Sequence, residues 1–381
     1  MKLNHIVVAI DSFKGSLSSW EAGKVVREAV QTVLPTAKVA IFPLADGGEG
    51  TVDALVDGLQ GEIVSTVVKG PLQKPVKSRY GLVATEKLAV MEMADAAGLP
   101  LVPEEKRNPL YTTTYGLGEL ILQAIDTGCR DFIIGIGGSA TNDCGLGMLT
   151  ALGWKFKKAD GTSAGICGGN LSEVTTIDGS RVDARLKECR FRIACDVTNP
   201  LYGPNGCSVV FGPQKGATPE IVKEMDEAIH RFADLAEGEL GSSCATAPGA
   251  GAAGGLGFAF QTFLGAELIP GTELCLETIG IRPALEQADL LITGEGRMDH
   301  QTAMGKGPAG VARLAHELNE SIKTVAVCGC ALPDADLVNQ HGIDAYFPIL
   351  HMPMTPQEAM EEKNTRRNLK QTVIQIVRLM K

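Results

Sequence analysis

The stretch LLITGEGRMDHQTAMGKGPAGVA, residues 290–312, sets Glu295, Arg297, Asp299, His300 and Lys306 among glycines between an apolar run and a helical one. Four other connections follow a similar recipe: DSFKGS (11–16), DGGEGT (46–51), GGSATND (137–143) and CDVTNPL (195–201). Each joins an Asp to Gly, Ser or Thr. Glycine lets backbone N–H groups approach phosphate oxygens, and helix starts favour anions. Lys and Arg neutralise charge; carboxylates hold Mg²⁺ or take a hydroxyl proton. The pattern suits phosphoryl transfer, with Lys14, Arg297 and Lys306 as cations and Asp11, Asp46, Asp143, Asp196 and Asp299 as carboxylates. Plainer roles stand beside these. An Asp after a strand often caps a helix, as Asn142–Asp143 would. Arg297 could bridge Glu295 or Asp299, His300 could be polar surface, and the glycine runs at 137–138 and 249–257 could serve close packing.

The elements that must carry these loops alternate. HIVVAI (5–10) reads as a buried strand, and Ser18 with Glu21 forms a capping box for the helix that ends at Pro35. KVAIFPL is the next strand, and a helix covers about 51–59. The C-terminal third repeats the order with ADLLIT, a helix after Pro308, the strands TVAVCG and IDAYFPI, and an amphipathic helix over 364–381. Such alternation predicts a parallel sheet with helices on both faces, an α/β fold. The middle differs. Residues 74–94 alternate like antiparallel strands, a helix falls near 114–127, and two glycine-rich loops at about 135–147 and 249–257 enter apolar helices. The expected organisation is one domain built from 1–73 and 286–381, with a second α/β domain inserted at 74–285.

Whole-chain properties narrow the function. A formal net charge of −10 argues against nucleic acid. Ten cysteines, with no C-x-x-C pair, sit largely in apolar segments and point to a reduced, cytoplasmic protein. Neither a targeting segment nor a membrane-length run is expected. No Walker A, H-E-x-x-H or G-x-S-x-G pattern occurs. GIGGSA (135–140), with Asp160 about 20 residues on, imitates a dinucleotide fingerprint. It supports a rival reading, an NAD-dependent hydroxy-acid dehydrogenase. A non-catalytic sugar-acid sensor lacks the basic helix-turn-helix it would need.

Taken together, AIDSFKGSLSS, PLADGGEGT, GIGGSATNDCGLGML, CDVTNPL, FGPQKGA, GAAGGLG and TGEGRMDHQTAMGK resemble the blocks of the type I glycerate kinases, in order over about residues 5–350 and without departure. The resemblance implies ATP- and Mg²⁺-dependent phosphorylation of D-glycerate, at the 2-hydroxyl by likeness to the glycerate 2-kinases of sugar-acid and glyoxylate catabolism; a 3-phosphoglycerate product is the alternative. It also implies a Rossmann-like domain with a second domain inserted and the active site in the cleft between them. On that reading Arg297 takes the glycerate carboxylate, Asp11 and Ser12 adjoin the substrate, and Lys14 faces the transferring phosphate. Asp196 or Asp299 is the base, while Gly137, Gly138 and Ser139 cradle ATP with Lys306 assisting. Asp46 or Glu49 holds the metal. The partners are small molecules, with no nucleic acid or membrane, and the chain is a monomer or homodimer.

Overall fold

The structure, a computed structural model, describes residues 3–305 and 307–381, so Lys306 lies outside the described residues. In chain order the strands are β1 (His5–Ile10), β2 (Lys38–Ile41), β3 (Glu62–Lys69), β4 (Pro75–Val83), β5 (Leu88–Glu92), β6 (Asp131–Gly135), β7 (Lys155–Lys157), β8 (Thr176–Asp178), β9 (Arg190–Ala194), β10 (Glu267–Ile269), β11 (Leu290–Met298), β12 (Lys323–Ala331) and β13 (Ala345–Pro348). The chain divides into two compact units. One comprises Met1–Asp46, Asp53–Gln60 and Thr272–Lys381; the other comprises Gly47–Val52 and Gly61–Gly271.

The first unit is a five-stranded sheet in the order β13-β12-β11-β1-β2, parallel throughout. Its inner strands β1, β11 and β12 carry buried apolar runs, as a parallel sheet covered on both sides requires. Ile6, Val8, Val325 and Val327 pack with Val26 and Val30 of the helix Ser19–Val33 and with Leu369 and Val373 of the helix Glu362–Met380. The alternate residues Ala326 and Cys328 face Ala312 of the helix Gly307–Leu318. The apolar stripe of the terminal helix is thus spent inside the molecule. Ser18 and Glu21 form the expected capping box, with Ser18 Oγ accepting from Glu21 N at 3.2 Å and Glu21 Oε2 accepting from Ser18 N at 3.2 Å.

The second unit carries a six-stranded sheet in the order β10-β9-β6-β5-β4-β3, parallel from β10 to β5 and antiparallel through β4 and β3. Phe132 and Phe191 stack at 4.9 Å between ring centroids within its core. Among the elements that fall outside the sequence expectation are an edge strand and a long helix. The strand β3 is an edge strand in which Glu62, Ser65, Thr66 and Lys69 interrupt the apolar run, and its hairpin with β4 spans the boundary expected at 73/74. The helix Pro219–Leu240 starts on Thr218, whose hydroxyl accepts from Ile221 N. The glycine run at 249–257 serves packing: a Cβ at Gly254 would lie 2.2 Å from Thr141 O. Among the described residues, no helix is long and apolar enough to cross a membrane.

Candidate active site

Ligands of open α/β sheets bind beyond the carboxyl ends of the strands, where the strand order reverses. In the first unit that point lies between β1 and β11, since the chain goes from β1 to β2 on one side and from β11 through β13 on the other. A cavity of about 700 Å³ opens there. Asp11 and Lys14 follow β1, Asp46 follows β2, Glu295 and Arg297 lie near the end of β11 with Asp299 just beyond, and Cys330 lies near the end of β12. Ile349, Leu350, Met354 and Met360 make an apolar wall. Six of the residues expected at the site, Asp11, Ser12, Lys14, Asp46, Arg297 and Asp299, line this one cavity.

Asp11 N donates to Gly294 O at 2.8 Å, which ties the start of its loop to β11. Its carboxylate accepts from Ser12 N at 2.6 Å. Burial, with the nearby Asp46 carboxylate adding to it, raises the Asp11 pKa to about 6. Lys14 stands exposed at the tip of a tight turn closed by Phe13 N to Leu17 O at 2.9 Å. Arg297, 65% exposed on its side chain, pairs through Nε with Asp299 Oδ2 at 3.3 Å. Asp299 also caps the short helix His300–Ala303, accepting from Gln301 N at 2.9 Å. The bridging and capping roles expected of an Arg and an Asp in this loop are therefore present alongside their place in the cavity. His300 faces Asp334 at 3.0 Å on the surface.

The other expected residues belong to the second unit. Gly137 and Gly138 are exposed and Ser139 is buried in the turn after β6. The next helix, Leu146–Ala151, begins well beyond GIGGSA, so this turn does not enter a helix as a dinucleotide fingerprint must. Asp143 is buried and accepts from Thr114 N and Thr114 Oγ1 at 2.8 Å and from Gly147 N at 3.2 Å. It holds the starts of two helices, and burial raises its pKa. Asp196 is exposed, with Oδ1 accepting from Gly271 N at 2.8 Å. Glu49 is exposed in a loop that Glu92 secures by accepting from Gly50 N at 3.1 Å and Val52 N at 2.9 Å. Sequence reading missed Glu92, and it missed Lys215, whose buried ammonium reaches Ser139. The signal for Lys215 was present in FGPQKGA, a block that stood without a role.

For Mg²⁺, the donor chemistry is suitable but sparse. Among the described residues, no group of three or more His, Cys, Asp or Glu clusters as a metal site. Asp11 and Asp46, however, are two carboxylates on one cavity, and Asp46 raises the cost of charge on Asp11. That pair fits an ion that takes one or two protein carboxylates and fills its shell with water and phosphate oxygens. Glu49 lies outside this cavity's lining.

A family model described as the glycerate kinase family matches residues 6–381. A glycerate kinase of Halalkalibacterium halodurans is 47% identical, covering 94% of each chain. A glycerate 2-kinase of Escherichia coli is 46% identical, covering 93% of this chain and 92% of its own. A crystal structure assigned to glycerate kinase 2 from Salmonella typhimurium LT2 superposes with a TM-score of 0.91 at 42% identity, covering 100% of this chain and 98% of that one.

Proposed function

The chain belongs to the glycerate kinase family, and from that premise we propose that it transfers the γ-phosphoryl group of ATP to the 2-hydroxyl of D-glycerate. The observation that supports this most directly is the single cavity at the sheet's switch point, where two cationic and several carboxylate side chains meet. A three-carbon acid needs a cation for its carboxylate, an acceptor for the attacking hydroxyl's proton and positive charge over the phosphoryl group. The Arg297 fork suits the carboxylate. Lys14, carried on a turn tip, suits the transferring phosphoryl group. Asp299 shares the cavity with both, which favours it over Asp196 as the proton acceptor; in a loose transition state that acceptor acts late. Asp11 and Asp46 would hold Mg²⁺, which when bound neutralises phosphate oxygens, and Ser12 lies beside the substrate. Gly137, Gly138 and Ser139 offer backbone N–H groups to the phosphates of ATP.

The 2-position follows the name of the Escherichia coli relative. Sugar-acid and glyoxylate breakdown, which release glycerate, supply the setting, and ten free cysteines accord with a reducing cytoplasm. Phosphorus NMR of the product formed from ATP and D-glycerate tests the proposal. The expected spectrum shows 2-phosphoglycerate and ADP. A 3-phosphoglycerate signal would overturn the regiochemistry, and intact ATP would overturn the activity.

A further inference from the structure

Lys215 is 1% exposed, one of the largest fully buried side chains in the molecule. Its ammonium donates to Ser139 Oγ at 2.8 Å and to Thr141 O at 2.6 Å. Among the described residues, no carboxylate forms an ion pair with it. Burial lowers its pKa to about 8, with Cys207 and Asp143 opposing that fall. Removing an ammonium from water costs several kcal/mol unless a partner compensates. Pinning a loop does not require a charge there; a neutral donor or an apolar contact would serve. The chain nevertheless builds this position carefully. Pro213–Lys215 forms a single 3₁₀ turn, and Gly216 must follow, because its φ is +89° and a Cβ would lie 2.1 Å from Arg107 O.

The charge has an evident object. Among the described residues, the backbone N–H groups of Gly137 and Gly138 have no acceptor; the two residues form a turn, and Gly138 O and Ala140 N are engaged with Leu99 N and Ala97 O. Gly138 has φ +74°, so successive N–H groups can converge on one anion. The Ser139 hydroxyl oxygen already accepts a hydrogen bond from Lys215. Its own hydrogen meets no protein acceptor among the described residues and is left to donate outward from that bond.

We propose that Lys215 is a positioning residue for the phosphates of ATP: from beneath the turn it fixes Gly137–Gly138–Ser139 as an anion cradle and orients the Ser139 hydroxyl as a donor to a phosphate oxygen. This rests on the reading that the turn receives ATP. The test is the full-length variant Lys215→Met, assayed by steady-state kinetics, by calorimetric titration with inorganic tripolyphosphate and by thermal melting. The expected result is at least about a tenfold rise in KM for ATP and an equal loss of tripolyphosphate affinity, with KM for glycerate within about twofold. The melting temperature should hold or rise, because an unpaired buried charge has gone.

Unchanged ATP KM and tripolyphosphate affinity would overturn the proposal. So would a rise confined to the glycerate KM, which would give the turn to a carboxylate, or a joint loss of stability, kcat and both KM values, which is the signature of simple loop support. If Lys215→Met does not fold, Ser139→Ala decides: weaker tripolyphosphate binding supports the proposal and unchanged binding overturns it. Tripolyphosphate titration needs no turnover. Wild-type protein that binds it without phosphorylating glycerate would sink the kinase reading alone. Normal turnover with an unaffected Lys215→Met variant would sink only the role of Lys215.

Discussion

At the scale of single residues, Arg297 and Lys14 are placed for different work, and kinetics can separate them. Arg297 is mostly exposed and its pair with Asp299 contributes little to stability. Arg297→Ala should therefore melt near the wild type while raising KM for glycerate by about tenfold to a hundredfold, the worth of a charge-assisted hydrogen bond. Lys14→Ala should lower kcat by about a hundredfold with KM values little changed. A kcat within about twofold of wild type would remove Lys14 from the chemistry. Asp11 makes a separate prediction. Its folded pKa of about 6 lies above the ordinary Asp value of 3.8, so between those values the folded chain holds a proton the unfolded chain has lost. Stability contributed by that proton is present at low pH and lost as pH rises through about 6. In Mg²⁺-free buffer at pH 7.5, Asp11→Asn should melt higher than wild type, on the order of 1–3 kcal/mol in stability, and the two should converge near pH 4. A lower melting point at pH 7.5 would mean that the Asp11 carboxylate is stabilised in the fold rather than strained.

At the scale of elements, the first unit depends on two helices that come from opposite ends of the chain. The helix Ser19–Val33 and the helix Glu362–Met380 share one face of the sheet, tied at the rim by Arg366 to Glu21 at 2.9 Å. Leu369 is fully buried between them and the strands. Leu369→Ala should cost about 2–5 kcal/mol, read by chemical denaturation, because the site cannot collapse without moving both helices. A cost below about 1 kcal/mol would show that this face repacks freely.

At the scale of the whole molecule, one hydrophobic cluster surrounds β1, β11 and β12 and another surrounds β6 and β9. Local stability in such a chain need not be uniform. In Leu369→Ala, amide hydrogen exchange should quicken in β1, β11 and β12 while β6 and β9 keep wild-type rates. Equal quickening in both would reveal a single cooperative unit.

What the sequence determined by itself was short-range and periodic. Strand and helix order in the first unit, the Ser18–Glu21 cap, the antiparallel pair after residue 74 and the polar loops at strand ends all follow from spacing along a few residues. The ordered blocks from DSFKGS to GEGRMD also carried the family. What only the tertiary structure decided was long-range. Lys215 meets Ser139 across 76 residues of chain, and Glu92 meets the 50–52 backbone across about 40. Asp143 meets Thr114 across 29 residues. Burial converts these polar residues from ordinary surface types into anchors, and burial is a property of everything packed around a residue, which no local pattern of the chain encodes.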